Sequence, residues 1–194
     1  SKRAFVLGCA GSGKTLMAIK KAEDLAAVAK DIRTKTGEDP STVVMDLCER
    51  SAVKALLAQL HDKALLPDLL VNNAGFGLLG DAVALDADEQ VDIINLNISA
   101  LTELSVRCGK LMAARGRGGI INVSSVAGML PGPKMAVYYA SKAYILSFTE
   151  ALSAELKGSG VQVTTLAPGV TRTGFHERAG MENALMRKLS APMS

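Results

Sequence analysis

Tyr138 and Lys142 stand four residues apart in Tyr138-Tyr139-Ala140-Ser141-Lys142. On a helix that spacing puts both side chains on one face. A tyrosine with its ordinary pKa of about 10 is a poor acid–base group near neutrality, but a fixed positive charge beside it favours the phenolate and lowers that value. Lys142 is the residue that can supply such a charge. The bare spacing is also what a core tyrosine beside a solvated lysine produces, so its weight depends on what surrounds it.

The run Gly119-Ile120-Ile121-Asn122-Val123-Ser124-Ser125 reads as an apolar strand ending in serines, and Ser125 precedes Tyr138 by thirteen residues. Side chains at the carboxyl end of a parallel strand face the crevice where ligands bind. A serine there can hydrogen-bond a substrate oxygen, and it can equally be a turn residue. Two further apolar runs end in the same manner, one in Asn72-Asn73-Ala74-Gly75 and one in Leu166-Ala167-Pro168-Gly169. Three strand ends therefore point to one crevice.

The elements that must position these residues follow from periodicity. Ala4–Leu7, Thr42–Asp46, Asp68–Asn72, Gly119–Val123 and Val161–Leu166 are short apolar runs bounded by turn signals, as buried parallel strands should be. Leu25–Arg33, Arg50–Leu60, Asp88–Ala114 and Ala136–Leu156 carry apolar residues at helical spacing. Arg115-Gly116-Arg117-Gly118-Gly119 breaks the long third helix before the next strand. Strands alternating with helices predict a doubly wound parallel sheet of the Rossmann-like, three-layer α/β/α kind, in one domain spanning 1–194.

Composition narrows the function classes. Of 194 residues, 48% are hydrophobic and 21% charged, a globular balance. The net charge is +3 and the basic residues are dispersed, which argues against a nucleic-acid partner. Cys9, Cys48 and Cys108 show neither metal-ligand spacing nor a disulfide framework. With no apolar run near the roughly 18 residues of a membrane span, the expectation is a soluble cytoplasmic protein with no bound metal.

Taken together, Asn72-Asn73-Ala74-Gly75, Asn97, Ser125, Tyr138-x-x-x-Lys142 and Pro168-Gly169-Val170-Thr171-Arg172-Thr173 resemble the ordered motif set of the short-chain dehydrogenase/reductase family, from about Thr42 onward. The resemblance implies an oxidoreductase passing hydride between NAD or NADP and a small-molecule ketone or secondary alcohol, with the hard chemistry carried by the cofactor. It implies that Tyr138 exchanges a proton with the substrate oxygen, that Lys142 lowers the tyrosine pKa and binds the nicotinamide ribose, that Ser125 holds the substrate, and that Asn97 holds a water relaying protons to Lys142. Asn73, Ala74 and Gly75 would line the cofactor, Asp46 would meet the adenine, and Pro168, Gly169, Thr171 and Thr173 would face the nicotinamide end. A homodimer or homotetramer packed partly through the Ala136–Leu156 helix is a further implication.

The amino-terminal end departs from that pattern. Where the family has Thr-Gly-x-x-x-Gly-x-Gly, this chain has Leu7-Gly8-Cys9-Ala10-Gly11-Ser12-Gly13. Gly8, Gly11 and Gly13 still satisfy the physical requirement for a tight turn under a pyrophosphate at a helix start. The same stretch, Gly8-x-x-x-x-Gly13-Lys14-Thr15, fits a Walker A phosphate loop, with Thr42–Asp46 as a Walker B strand. A P-loop ATPase or kinase is therefore the alternative, and a non-catalytic dinucleotide-binding or scaffold protein is a third reading. No β-type run lies between Lys14 and Ser41, although a dinucleotide-binding half needs a second strand there. The expectation is a chain incomplete near 14–27 and after 194, with an open slot between Ala4–Leu7 and Thr42–Asp46 and an irregular path through Gly13–Ala27.

Overall fold

The computed structural model describes residues 5–9, 15–37, 40–63, 65 and 67–169, and of 5–9 and 15–24 the backbone alone. In chain order these form β1 (Phe5–Cys9), α1 (Thr15–Thr36), β2 (Ser41–Met45), α2 (Ala52–Asp62), β3 (Leu69–Asn72), α3 (Ala87–Ile94), α4 (Leu101–Ala114), β4 (Gly118–Val123), α5 (Ala136–Glu155) and β5 (Val161–Leu166). A π turn at Asn95–Ala100 joins α3 to α4, and a 3₁₀ turn at Val126–Met129 follows β4.

All strand pairings are parallel. β3, β4 and β5 form one ladder in that order, with Asn72 opposite Asn122 and Asn122 opposite Thr165. β1 and β2 form the other, running from Phe5 opposite Ser41 to Cys9 opposite Met45. The expected slot between the first strand and Thr42–Asp46 is therefore corrected: the two strands pair directly. α1 also runs unbroken through Ala27 from Thr15, in place of the expected irregular path; Gly13 and Lys14 lie outside the described residues. The physical reason is that unpaired strand edges leave backbone donors and acceptors unsatisfied, and closing the gap satisfies them.

Turn and cap chemistry sets the element ends. Asp86 caps α3 by accepting from the Glu89 amide at 2.9 Å, and Asp88 and Glu89 add acidic charge to the first turn, where the helix dipole favours it. α4 ends at Arg115 and Gly116, the latter at φ 66°, so the break anticipated at Arg115–Gly119 falls there. The Arg115 guanidinium donates to the Pro67 carbonyl at 2.7 Å and thereby ties the starts of β3 and β4.

The strands are not buried on both faces. Leu70, Ile120, Val161 and Val163 pack with Cys108 and Met112 of α4 and Leu152 of α5. Leu56 and Leu60 of α2 join Ile93, Leu96 and Leu104 in the adjoining cluster, against which Val43, Met45 and Leu70 pack. Leu69 and Val71, on the opposite face of β3, are half-exposed. The run 88–114 is likewise not one regular helix, because the π turn interrupts it at the residues around Asn97.

Within the buried face lies a side-chain network that the apolar pattern of the strands conceals. Asn72 Nδ2 donates to Asn122 Oδ1 at 2.8 Å and to Ser105 Oγ at 3.0 Å. The Ser105 hydroxyl donates to Asn122 Oδ1 at 3.2 Å, and Asn122 Nδ2 donates to Thr149 Oγ1 at 3.0 Å. All four residues are buried, so β3, β4, α4 and α5 are pinned to one another by polar groups with no access to water. Asn122→Ala should leave Asn72 and Thr149 short of a partner and destabilise the fold by about 2–4 kcal/mol. Equilibrium denaturation checks this, and a midpoint equal to that of the parent chain would show the network to be energetically idle.

Candidate active site

The 3₁₀ turn and α5 carry the chemistry. Ser125, with an extended backbone, caps the 3₁₀ turn: its hydroxyl accepts from the Ala127 amide at 3.2 Å. The same hydroxyl lies close enough to Tyr138 to lower its pKa. Burial raises the Tyr138 pKa above the usual value, the Ser125 hydroxyl opposes that rise, and the neighbouring Tyr139 adds to it. The two rings meet edge to face with centroids 6.1 Å apart.

Lys142 is 5% exposed. Its ammonium donates to the Val123 carbonyl at 2.9 Å and stands 5.7 Å from the centroid of the Tyr138 ring. Burial pushes its pKa down to about 8. Lys142 is not among the groups that shift the Tyr138 pKa: its ammonium is bonded to the strand carbonyl, and desolvation is the leading cause for both residues. An ammonium has three N–H donors, and the described residues give this one a single hydrogen bond. The remaining donors suit vicinal hydroxyls such as those of a ribose.

Asn97 is fully buried in the π turn and its side chain is committed to structure. Oδ1 accepts from the Phe76 amide at 3.1 Å; Nδ2 donates to the Phe76 carbonyl and to Ser141 Oγ, both at 3.0 Å. Ser141 in turn donates to the Tyr138 carbonyl at 2.7 Å. Asn97 thus locks the turn after β3 to the helix bearing Tyr138, and its side chain has no donor left over for a relay water. Ser124, the serine before Ser125, donates to the Lys142 carbonyl at 2.7 Å. A Cβ on Gly128 would lie 2.6 Å from that same carbonyl oxygen, so only glycine lets the 3₁₀ turn approach α5 this closely.

The other candidates are distributed as follows. Gly75 lies beside the pair: a Cβ there would sit 2.9 Å from Asn97 Oδ1 and 3.5 Å from Lys142 Nζ. Asn73 is exposed at the end of β3 and Ala74 packs on the core. The Pro168 carbonyl accepts from the Val126 amide at 3.2 Å, which brings the end of β5 to the 3₁₀ turn; Gly169 follows it. Asp46 follows β2 and accepts from the Cys48 amide at 2.9 Å. Gly8 lies in β1 opposite Val44, whereas Gly11, Gly13, Thr171 and Thr173 lie outside the described residues. Ser125, Tyr138, Lys142, Asn97 and Gly75 are therefore brought together. Ser124, Ser141 and the Phe76 backbone are the supporting groups that residue type and spacing leave unassigned, although Ser141 sits one turn beyond Tyr138.

Among the described residues, no helix is long and apolar enough to cross a membrane. The sequence model of the family described as short chain dehydrogenase matches residues 3–184. A 3beta-hydroxysteroid dehydrogenase from Mediterraneibacter gnavus is 31% identical over 181 residues, which cover 93% of this chain and 65% of that relative. A 3-oxoacyl-acyl-carrier-protein reductase from Vibrio harveyi is 30% identical, over 83% of this chain and 65% of the relative. The chain thus spans just under two thirds of the length of these curated relatives. A short-chain dehydrogenase from Sphingobium yanoikuyae, solved in complex with NADPH, has the same Rossmann-like fold at TM-score 0.78 and 29% identity, over 92% of this chain and 65% of that one. A gluconate 5-dehydrogenase from Burkholderia cenocepacia, in complex with NADP and tartrate, reaches 0.77 at 26% identity, over 97% of this chain and 78% of that one. The P-loop alternative on Gly8, Gly13, Lys14 and Thr15 is overturned: one family match takes in both that stretch and the Tyr138–Lys142 helix.

The lowered pKa of Lys142 has a consequence for stability. Below about pH 8 the ammonium is charged in folded and unfolded chains alike, and the folded chain bears the desolvation cost. Between about 8 and the ordinary value of 10.5, the folded chain sheds this proton while the unfolded chain keeps it, so stability rises with pH. The full gain is about 3 kcal/mol at 1.36 kcal/mol per unit. Above pH 10 the raised Tyr138 pKa works the other way, because unfolded tyrosine ionises first. Denaturation midpoints measured from pH 7.5 to 10 should climb in the parent chain and climb less in Lys142→Met; parallel curves would remove the lysine from this linkage.

Proposed function

Because the chain belongs to the short-chain dehydrogenase family, we propose that it is an NAD(P)-dependent oxidoreductase interconverting a ketone and a secondary alcohol. The observation that carries this reading is the buried Lys142 ammonium 5.7 Å from the centroid of the Tyr138 ring, with Ser125 capping the adjoining 3₁₀ turn. When bound, the nicotinamide supplies or accepts the hydride. Ser125 and Tyr138 both address the substrate oxygen: Ser125 holds it, and the Tyr138 phenol gives it a proton in reduction or takes one in oxidation. Tyr138 is neutral and able to donate at neutral pH, and burial, by raising its pKa, opposes its ionisation.

Lys142 serves the ribose hydroxyls with the donors left over from Val123. Asn97 acts through Ser141 and Phe76 as a positioning residue, and a relay water would fall to its backbone carbonyl rather than its amide. Gly75 gives the Asn73–Gly75 turn its close approach to Lys142. The pyrophosphate would fall to the stretch 8–13, of which Gly8 lies in β1, and the nicotinamide end to Pro168, Gly169, Thr171 and Thr173. We read the assembly as a homodimer or homotetramer. Its contact would be the outer face of α4 and α5, where Val106 and Tyr144 are exposed. The cytoplasm is the compartment we assign.

Two measurements test this. Tyr138→Phe should fold, retain nucleotide binding and lose about 10²–10⁴-fold in turnover; near-parental reduction by that variant would end the mechanism. Ser125→Ala should slow turnover as well, and should move the alkaline limb of the pH–rate profile upward, because the hydroxyl it removes lowers the tyrosine pKa. Protection against heat by NAD or NADP, and none by ATP, is the accompanying result expected from linkage.

A further inference from the structure

Two stretches to which the proposed chemistry assigns no role, within 77–81 and 132–135, meet beside Tyr138. One follows β3 and contains Gly77, Gly80 and Asp81; the other runs from Gly132 to Met135 and starts α5. They join at Lys134, whose ammonium donates to both oxygens of Asp81, at 2.7 and 2.6 Å. Its carbonyl accepts from the Gly80 amide at 2.8 Å. Among the described residues, Lys134 is the only non-glycine with positive φ, at 70°. That left-handed conformation is disfavoured for a long L side chain and persists where surrounding contacts impose it.

An exposed ion pair by itself contributes little to stability, and both of these side chains are more than half exposed. What sets this one apart is what it holds. α5 begins at Met135 without a side-chain cap, so its first turn is fixed by tertiary contacts. Met135 is buried and packs with Leu79, Tyr138 and Tyr139. On the other loop, a Cβ on Gly77 would lie 2.8 Å from Tyr138 Cδ2 and 3.1 Å from Met135 Cε. The first loop therefore presses on the tyrosine ring while the second launches the helix that carries it.

We propose that Asp81 and Lys134 form a clasp between these loops that sets the position of Tyr138, which makes both of them positioning residues. The proposal rests on the function assigned above only for its effect on rate. Opening the clasp lets the first turn of α5 and the Gly77 loop part, and the phenol then loses its alignment with Ser125. Small misplacements of a reacting group are expensive in rate, on the order of 10²-fold for 1 Å. A clasp at the surface, backed by a packed Met135, permits a smaller displacement than that, with an effect on the order of tenfold in rate.

The test uses the whole chain and compares Asp81→Asn, Lys134→Gln, the charge-keeping Asp81→Glu and the exchanged pair Asp81→Lys with Lys134→Asp. Aspartate tolerates the left-handed region, so the exchange preserves the backbone. Ketone reduction is followed at saturating NADPH or NADH, and the three tyrosines are observed by NMR after labelling at Cζ, with Tyr138 identified by its loss in Tyr138→Phe. The two neutral variants should lower kcat about tenfold with the nucleotide KM unchanged. They should also move the Tyr138 signal and leave Tyr144 in place. Asp81→Glu and the exchanged pair should recover both readouts. Neutral variants with parental kcat and an unmoved Tyr138 signal would overturn the clasp, and so would defects that neither charge-retaining form recovers. Should the parent chain reduce no ketone, the assigned function fails while the Tyr138 signal still decides the clasp.

Discussion

An ammonium ion taken out of water must find partners or lose its proton, and Lys142 imposes that constraint on everything around it. Its stem is enclosed by α5, the 3₁₀ turn and the turn after β3; the Val123 carbonyl is its one hydrogen-bond acceptor among the described residues. This is too little compensation for a buried charge, and the fall in its pKa expresses the deficit. A site left under-satisfied in this way has binding capacity in reserve: hydroxyl oxygens brought to the ammonium relieve a cost the fold already bears. The same burial that makes Lys142 expensive raises the Tyr138 pKa. Desolvation thus acts on both members of the pair and favours the neutral form of each.

Such a site needs a rigid floor, and the buried network beneath it supplies one. Asn72 and Asn122 stand opposite each other on β3 and β4, one residue before the polar turn and three residues before Ser125 respectively. Through Ser105 and Thr149 they fasten both helices that flank the site to the sheet. Asn97 performs the equivalent task one layer higher, where the π turn departs from the regular helix and its amide spans Phe76 and Ser141. Extra-residue turns of this kind are often found where function requires a side chain that the regular helix would misdirect.

The proposed catalytic group is legible in the sequence because it depends on local geometry. Tyr138 and Lys142 share a helix, and Ser125 stands two residues beyond the end of β4, so spacing alone places each on its element. The supporting groups are much less legible. Asn122 sits in the middle of Ile120–Val123, where one polar residue in an apolar run signals a buried partner without naming it; Ser105 and Thr149 become its partners through the fold. Helical periodicity also misses the π turn, since Leu96 and Asn97 are both buried and an amphipathic pattern with one added residue still looks amphipathic. The clasp is invisible for a related reason: Asp81 and Lys134 are 53 residues apart and each reads as an ordinary surface charge.

The least legible part is the first βα unit, and the cause is topological. Reading a missing strand as an open slot assumes that β1 and β2 keep the separation they would have with a strand between them. A slot leaves two rows of backbone donors and acceptors unpaired, whereas direct pairing satisfies them and leaves the α1 crossover intact. Satisfying the backbone has its own effect on the site. Asp46, at the end of β2, lies one strand spacing of about 4.8 Å closer to β1 than an intervening strand would place it, and one carboxylate oxygen is engaged by the Cys48 amide. The Tyr138–Lys142 end and the β1–β2 pair therefore answer to different constraints. The first is governed by a buried charge and a polar network, the second by the completion of a backbone ladder.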